Sequence, residues 1–531
     1  MKKLRRIFSS GLFIILLFLL VEVLIFVVID TNLDTPILVL IGYNAPGSAL
    51  ALFYVEVFIF LIRIIATLAA IIVFFRIVNR FEDPEFKIPW LIFLFALPLT
   101  TMMFFLIFAH HGFKNRETEI YKGIMDKNKV YFDKNKTTKD LYKNELGNAA
   151  GAFNYINNSS FMGIHKNNRI TYYKNGESFF PEMIKGLKEA EHFIFIEFFI
   201  ITDGKLWDEV KNILIEKAQK GVEVKLIYDD LGCLGTISPS TPKQLCKYGI
   251  KCYKFHKFSP LLRGTFNNRD HRKIVVIDNK MAFTGGCNLA DEYANIIKRF
   301  GYWKDTMVKI EGSAINNLIM TFLENFSTAS NTIPDYSKYC DYDYPVYEDE
   351  GFVMPFGDGP SIYDDSLIGE QNYINILNYA KEKVYISTPY LIPTYSLIDA
   401  LRNAAKRGVD VRLILPGIPD KKLVYKVAKS SFKSLLQVGI RIYFYTPGFN
   451  HMKSMLADDE LGFVGTINLD FRSLVHHFEC GTILYKTPCL KEIKDDFEEM
   501  LLQCQEVPKD FKLNIFSRSL CGLVKIITPL L

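Results

Sequence analysis

Two stretches of this chain repeat one arrangement of histidine, lysine and aspartate: His271-Arg-Lys273-Ile-Val-Val-Ile-Asp278 and His451-Met-Lys453-Ser-Met-Leu-Ala-Asp458. In an extended segment, residues two apart project to one face and the residue between them to the other. Each motif therefore presents an imidazole beside an ammonium. That pair suits a phosphate, because the lysine neutralises charge while the histidine attacks phosphorus or moves a proton. Each motif also has an echo downstream, Gly285-Gly-Cys-Asn288 and Gly465-Thr-Ile-Asn468. Glycine there permits close approach, and Asn288 and Asn468 supply further donors to a phosphate. One His-x-Lys would say little. Two, each with its echo, agree across levels.

A histidine that attacks or moves protons needs its second nitrogen held. Asp305, in Trp303-Lys-Asp305-Thr, and Glu479, in His477-Phe-Glu479-Cys, are candidates. Asp278 and Asp458 are counted with the catalytic set His271, Lys273, His451 and Lys453. Their alternative use is structural, pinning the turn that ends each motif strand. No metal site is expected. His110-His111 have no carboxylate or cysteine cluster nearby, and the rings of neighbours such as His476-His477 are poorly placed for one ion. No glycine-rich nucleotide loop is present, so no cofactor is expected.

The elements that must carry these motifs alternate strand and helix. Phe193 to Ile201 reads as a buried strand. Trp207, Val210 and Leu214 follow at helical spacing, Gly221 stops the helix, and Val222 to Tyr228 is the next strand. Val384 to Leu391, then Leu397, Leu401 and Ala405, Gly408, and Val409 to Leu415 repeat the order. The wording repeats too: Gly221-Val-Glu-Val-Lys-Leu-Ile227 against Gly408-Val-Asp-Val-Arg-Leu-Ile414, and Gly249-Ile-Lys-Cys-Tyr253 against Gly439-Ile-Arg-Ile-Tyr443. A period this long means two homologous α/β lobes with parallel strands rather than a solenoid.

The chain has 531 residues, 49% of them hydrophobic, and a net charge of +5. Its length allows two or three domains. Three apolar runs lead it: Gly11 to Ile29 behind the basic Lys2, Lys3, Arg5 and Arg6, then Ser48 to Phe75, then Ile88 to Ala109. Each is long enough to cross a hydrocarbon core. The first lacks a small-residue cleavage site and reads as a retained helix. Basic residues on both sides of the three runs leave orientation open. Glu56 and Arg63, seven apart, share a helix face and read as an intramembrane pair. The nine scattered cysteines read as free thiols. The domain reading is a transmembrane region of two or three helices (1–113), a Lys-rich tether (114–150), a first lobe (151–330), a linker (331–350) and a second lobe (351–531). The amphipathic tail with Phe516, Leu520, Leu523, Val524, Ile527, Arg518 and Lys525 either dips into the membrane interface or packs on the soluble part.

The paired motifs resemble the signature of the phospholipase D superfamily. Arg269 to Asp278, Phe283-Thr-Gly-Gly-Cys-Asn288, Gly301-Tyr-Trp-Lys-Asp305, Thr388-Pro-Tyr-Leu-Ile-Pro393 and Gly465-Thr-Ile-Asn-Leu-Asp-Phe-Arg-Ser473 are similar to its bacterial cardiolipin synthase branch. So are the second and third apolar runs with Asp83-Pro-Glu between them. The likeness extends from about Ser48 to the C-terminus. Lys304 stands where the family usually has Arg, and the first apolar run is additional to the two-helix pattern.

The resemblance implies two phospholipase D-type lobes forming one pseudo-symmetric catalytic unit. It implies metal-free transfer of a phosphatidyl group between two phosphatidylglycerol molecules, giving cardiolipin and glycerol through a phosphohistidine. His271 would attack, with His451 as acid and then base; Lys273, Lys453, Asn288 and Asn468 would stabilise the phosphoryl oxygens. The assignment of nucleophile between the two histidines is arbitrary at this level. The implied setting is a multi-pass protein of the cell membrane, with lipid partners and no nucleic acid. Rival readings are a hydrolase of the same fold and a non-catalytic membrane scaffold. A nuclease would not need the membrane runs.

Overall fold

A computed structural model describes residues 48–80, 84–108, 115–134, 142, 144–257, 267–340, 342–360 and 367–528. The described chain falls into two units, one of residues 48–108 with 526–528 and a second of residues 115–257 and 267–525.

In the first unit the second apolar run forms α1 (Ser48–Val78). The third run is not one helix but two, α2 (Pro84–Ala96) and α3 (Pro98–Phe108). Pro98 brings no N–H to continue the ladder, and its ring crowds the preceding turn, so the run breaks beside it. Eleven residues of α3 span only about 16 Å, roughly half a hydrocarbon core. Val73, Ile77, Leu94 and Phe105 close a small core among the three helices. Among the described residues no helix is long and apolar enough to cross a membrane. The run Gly11 to Ile29, Lys2 to Arg6 and His110-His111 lie outside the described residues.

The second unit opens with α4 (Asn115–Lys134), within the segment expected to be a tether. It is more than a linker: Ile124 and Tyr121 are buried, and the Tyr121 ring stacks on Phe478 at 6.0 Å. α5 (Ala150–Ser160) follows. β1 (His165–Lys166) comes next, and the strands of the first lobe are β2 (Arg169–Tyr173), β3 (Phe193–Phe198), β4 (Glu223–Asp229), β5 (Lys251–Phe255), β6 (Lys273–Ile277), β7 (Met281–Gly285), β8 (Tyr302–Lys304) and β9 (Met307–Glu311). Those of the second are β10 (Phe352–Asp358), β11 (Lys383–Ser387), β12 (Leu391–Ile392), β13 (Asp410–Pro416), β14 (Arg441–Tyr445), β15 (Gly448–Asn450), β16 (Ser454–Ala457), β17 (Leu461–Gly465), β18 (Leu469–Asp470), β19 (Glu479–Tyr485) and β20 (Cys504–Glu506).

The duplication survives strand by strand. One sheet runs β2-β9-β7-β6-β3-β4-β5, and the other runs β1-β10-β19-β17-β16-β11-β13-β14-β20. Removing the edge strands β1 and β20 from the second leaves the order of the first. β3 pairs β4 in parallel and β11 pairs β13 in parallel, each joined by a helix, α6 (Lys205–Gln219) and α7 (Tyr395–Lys406). Gly221 and Gly408, just past those helices, hold φ of +92° and +97°, a conformation costly for any residue with a Cβ. The first sheet begins only at β2. The residues before it, α5 and β1, pack on the second lobe, where β1 pairs β10. The motif strands β6 and β16 lie at the centre of their sheets. The two lobes meet where β7 packs on β17 and β19, β9 packs on β17, and β8 pairs β15.

Candidate active site

Short backbone pairings across the lobes set the site. Asp270 bridges Phe478, and the His271 N–H donates to the Phe478 carbonyl at 2.8 Å. In mirror fashion β8 pairs β15, and the His451 N–H donates to the Lys304 carbonyl at 2.7 Å. Each pairing therefore fixes a motif histidine one residue away from the acidic residue of the other lobe.

The side chains cross accordingly. His271 Nδ1 lies 2.8 Å from Glu479 Oε2 and 2.9 Å from Oε1. His451 Nδ1 lies 2.6 Å from Asp305 Oδ2. Both carboxylates are fully buried. A carboxylate that accepts Nδ1–H fixes the tautomer and leaves Nε2 with its lone pair for chemistry. Room for Asp305 depends on Gly286, whose absent Cβ would sit 1.9 Å from Asp305 Oδ1. At the matching position of the second lobe, Thr466 instead donates its hydroxyl to the longer Glu479. The two pairs thus have the same plan and different fittings.

Lys273 and Lys453 are fully buried, and each ammonium donates to the carbonyl of its own motif histidine, Lys273 at 2.5 Å. Burial pulls the Lys273 ammonium down to about 8, against the pull of Glu479, and the Lys453 ammonium down to about 7, against that of Asp305. Burial lowers His451 to about 4, helped by Lys453 and opposed by Asp305. It holds His271 well below its ordinary value, with Lys273, His477, Lys453 and His451 adding to the effect. Both imidazoles are neutral at neutral pH, and each feels the lysine of the other lobe. Two ammoniums close to two neutral imidazoles make a cradle for one anion.

Aromatic rings line both pairs. Phe199 stands edge-on to His271 at 5.0 Å, and Tyr293, Trp303 and Phe449 surround His451 at 5.4 to 5.6 Å. The Arg272 guanidinium, on the opposite face as alternation requires, donates to the Glu479 carbonyl and pairs with Glu324. Lys304 spans to the second lobe, where both oxygens of Asp496 accept from it at 2.6 and 2.8 Å.

The other expected site residues sit as follows. Asn288 is engaged on both sides: its Oδ1 accepts from the Ile200 N–H, and its Nδ2 donates to the Tyr293 hydroxyl. Asn468 is buried, and its Oδ1 has no hydrogen-bond partner among the described residues. Asp278 and Asp458 lie away from the histidines, at the far end of the motif strands. Each carboxylate accepts three backbone N–H groups, from Glu191, His192 and Phe193 in one lobe and from Lys381, Glu382 and Lys383 in the other. Both aspartates hold φ of +50°. These contacts are those of the structural alternative: they anchor the turn to the start of β3 or β11. Asp278→Ala is expected to lower stability by about 2 kcal/mol, the cost of orphaned donors, as read from the denaturation midpoint. The rate per folded molecule should stay within about tenfold of wild type, since no catalytic contact is lost.

Sequence reasoning missed His477. Its ring centroid is 5.5 Å from that of His271, and its Nδ1 is 3.6 Å from Glu479 Oε1. The alternation that aligns His271 with Lys273 also aligns His477 with Glu479, and that signal was available. The sequence sets His477 beside His476, poorly placed for one ion, and the fold joins it to His271. His271, His477 and Glu479 present ligand atoms within 4.8 Å of one another. Lys273 and Lys453 bear on the same spot, and their charge favours an anion there over a dication.

Residues 183–325 and 373–501 match the family model described as "Cardiolipin synthase, PLD-like domain". An uncharacterized protein of Streptococcus mutans is 43% identical over 86% of this chain and 98% of its own length. A cardiolipin synthase of Halalkalibacterium halodurans is 31% identical over 83% of this chain and 87% of its own. The crystal structure of a phosphatidylserine synthase from Haemophilus influenzae shares the fold, with a TM-score of 0.53 at 14% identity over 72% of this chain and 98% of that one. Two fused α/β lobes that exchange their histidine–carboxylate contacts define a phospholipase D-like enzyme. Within that class, the chain belongs to the cardiolipin synthase family.

Proposed function

We propose that this enzyme moves a phosphatidyl group from one phosphatidylglycerol to another, releasing glycerol and making cardiolipin. The observation that carries the reading is the crossed His271–Glu479 and His451–Asp305 pairs around two buried ammoniums. In the first step His271 Nε2 attacks phosphorus, the bond to the headgroup glycerol breaks, and His451 gives that oxygen a proton. The negative phosphodiester opposes the burial and the Lys453 charge that lower His451 and so lets it carry the proton. In the second step the hydroxyl of another phosphatidylglycerol loses its proton to His451 and attacks phosphorus. The phosphorus–nitrogen bond breaks, and His271 is restored. Lys273, Lys453 and Asn468 stabilise charge on the phosphoryl oxygens. Phe199, Tyr293, Trp303 and Phe449 limit water, which would otherwise compete with the lipid hydroxyl.

Both substrates keep their tails in a bilayer, and an anchor at the cell membrane fits that need. The support is the run of apolar sequence and the exposed Phe58, Leu61, Ile65, Leu68 and Phe75 of α1. Purified enzyme in detergent with phosphatidylglycerol alone should yield cardiolipin and glycerol in equal amounts. Phosphatidic acid as the main product would instead mean hydrolysis, and no turnover would mean a scaffold.

The lysines give the site a pH dependence. An anion binds best to the protonated ammoniums, which burial lowers to about 7 and about 8. Affinity for a short dialkyl phosphate, whose single charge is constant in this range, should be level below about pH 7 and fall as pH rises through both values. Titration calorimetry in buffers of different ionisation enthalpy should register proton uptake near pH 8. Lys453→Arg should move the fall to higher pH; an affinity level to about pH 10 would refute the assignment.

A further inference from the structure

The helix α9 (Ile515–Ile527) carries its apolar stripe on the wrong side for a helix held by protein alone. Its inner face is fixed: Cys521 is buried and donates to the Lys426 carbonyl, and Lys525 donates to Ser431 at 3.0 Å. Phe516, Leu520 and Leu523, at spacings of four and three, form one stripe on the opposite side. Phe516 is 78% exposed, Leu523 65% and Leu520 40%, and Ile515 before them 83%. The neighbouring helix α8 (Lys422–Lys429) adds exposed Leu423 between exposed Lys422 and Lys426. Lys433 and Arg518 extend the cationic fringe. Apolar side chains at the centre with lysine and arginine around them match a membrane surface of anionic lipid.

The same surface reaches the catalytic site. Lys421, at the head of the helix Lys422–Lys429, lies over the Tyr390 ring at 5.1 Å, and its charge, like that of Arg472, bears on His477. That helix packs on β12, which pairs β18 in the stretch leading from Asn468 to Arg472.

We propose that the outward stripe of α9 and the lysine-bearing helix beside it form a docking face for anionic lipid, which sets the mouth of the catalytic site on the bilayer. The proposal rests on the lipid-transfer reading, since it takes its occupant from the same substrate class. It is tested on the full chain with Phe516→Glu and Leu523→Glu together, both exposed and outside the catalytic machinery. In detergent micelles doped with phosphatidylglycerol, the surface concentration for half-maximal rate should rise about tenfold or more. Turnover of a short-chain phosphatidylglycerol dissolved as monomers should match wild type. An unchanged surface dependence, or an equal loss on the monomeric substrate, overturns the proposal.

A second measurement needs no catalysis. Phe516→Trp in vesicles of phosphatidylglycerol should gain a fluorescence component that lipids brominated near the glycerol backbone quench. A component untouched by bromine overturns the proposal, including the case in which a second copy covers the stripe and the Glu variant lowers the particle mass. Wild-type enzyme that yields phosphatidic acid would sink the transfer reading alone and leave the bromine result to decide docking.

Discussion

Alanine at His271 or at His451 is expected to reduce cardiolipin formation by about 10³-fold or more, and the double variant should lose little beyond either single one. Both steps use both imidazoles, so removing one disables the whole. The two variants should part company on a substrate that needs no acid. With a nitrophenyl headgroup the leaving oxygen departs unprotonated, and the variant that keeps the attacking histidine should still form a lipid–protein adduct. A phosphorus–nitrogen bond is labile in acid and stable in base, so the adduct can be told from an ester. If His451→Ala traps the adduct and His271→Ala does not, His271 is the nucleophile. The reverse result exchanges the roles and leaves the reaction intact. Adduct in neither variant, with turnover retained, would end the phosphohistidine mechanism.

The crossed contacts make a second large effect. Glu479→Gln and Asp305→Asn should each lower turnover by about 10²- to 10⁴-fold, because an amide no longer fixes the tautomer that leaves Nε2 free. Each should also copy the variant of the opposite lobe. Glu479→Gln should behave as His271→Ala in the adduct experiment, and Asp305→Asn as His451→Ala, because the contacts run 2.8 Å and 2.6 Å across the lobes. If each carboxylate served the histidine of its own lobe, the pairing would be the other way round. The effect on stability should be small by comparison, since the amides keep the shape and one acceptor.

Local chemistry made much of this legible in the sequence. The repeated Gly-Val-acid-Val phrases name strands because β-branched residues beside a helix-stopping glycine have few other uses. β3, β4, β11 and β13 and their joining helices lie where the periodicity placed them. The third apolar run shows the limit of that logic. Its composition is continuous, but Pro98 divides it into α2 and α3 through one missing N–H. The motif aspartates show another. Spacing leaves Asp278 and Asp458 either with the catalytic set or pinning the turn, and the three backbone N–H groups that each accepts are those of the second use.

The sequence alone determined what could be written within one lobe: the paired His-x-Lys motifs, their glycine–asparagine echoes, and the duplicated α/β order. Those depend on neighbours along the chain, and spacing records them. Only the tertiary structure decided which carboxylate serves which imidazole, and so which imidazole the His477 beside Glu479 joins, and that Gly286 and Thr466 fit their lobes to acids of different length. These depend on two backbone pairings between residues far apart in the chain, β8 with β15 and Asp270 with Phe478. Contacts at such separation leave no period in either strand, so nothing short of the folded chain reveals them.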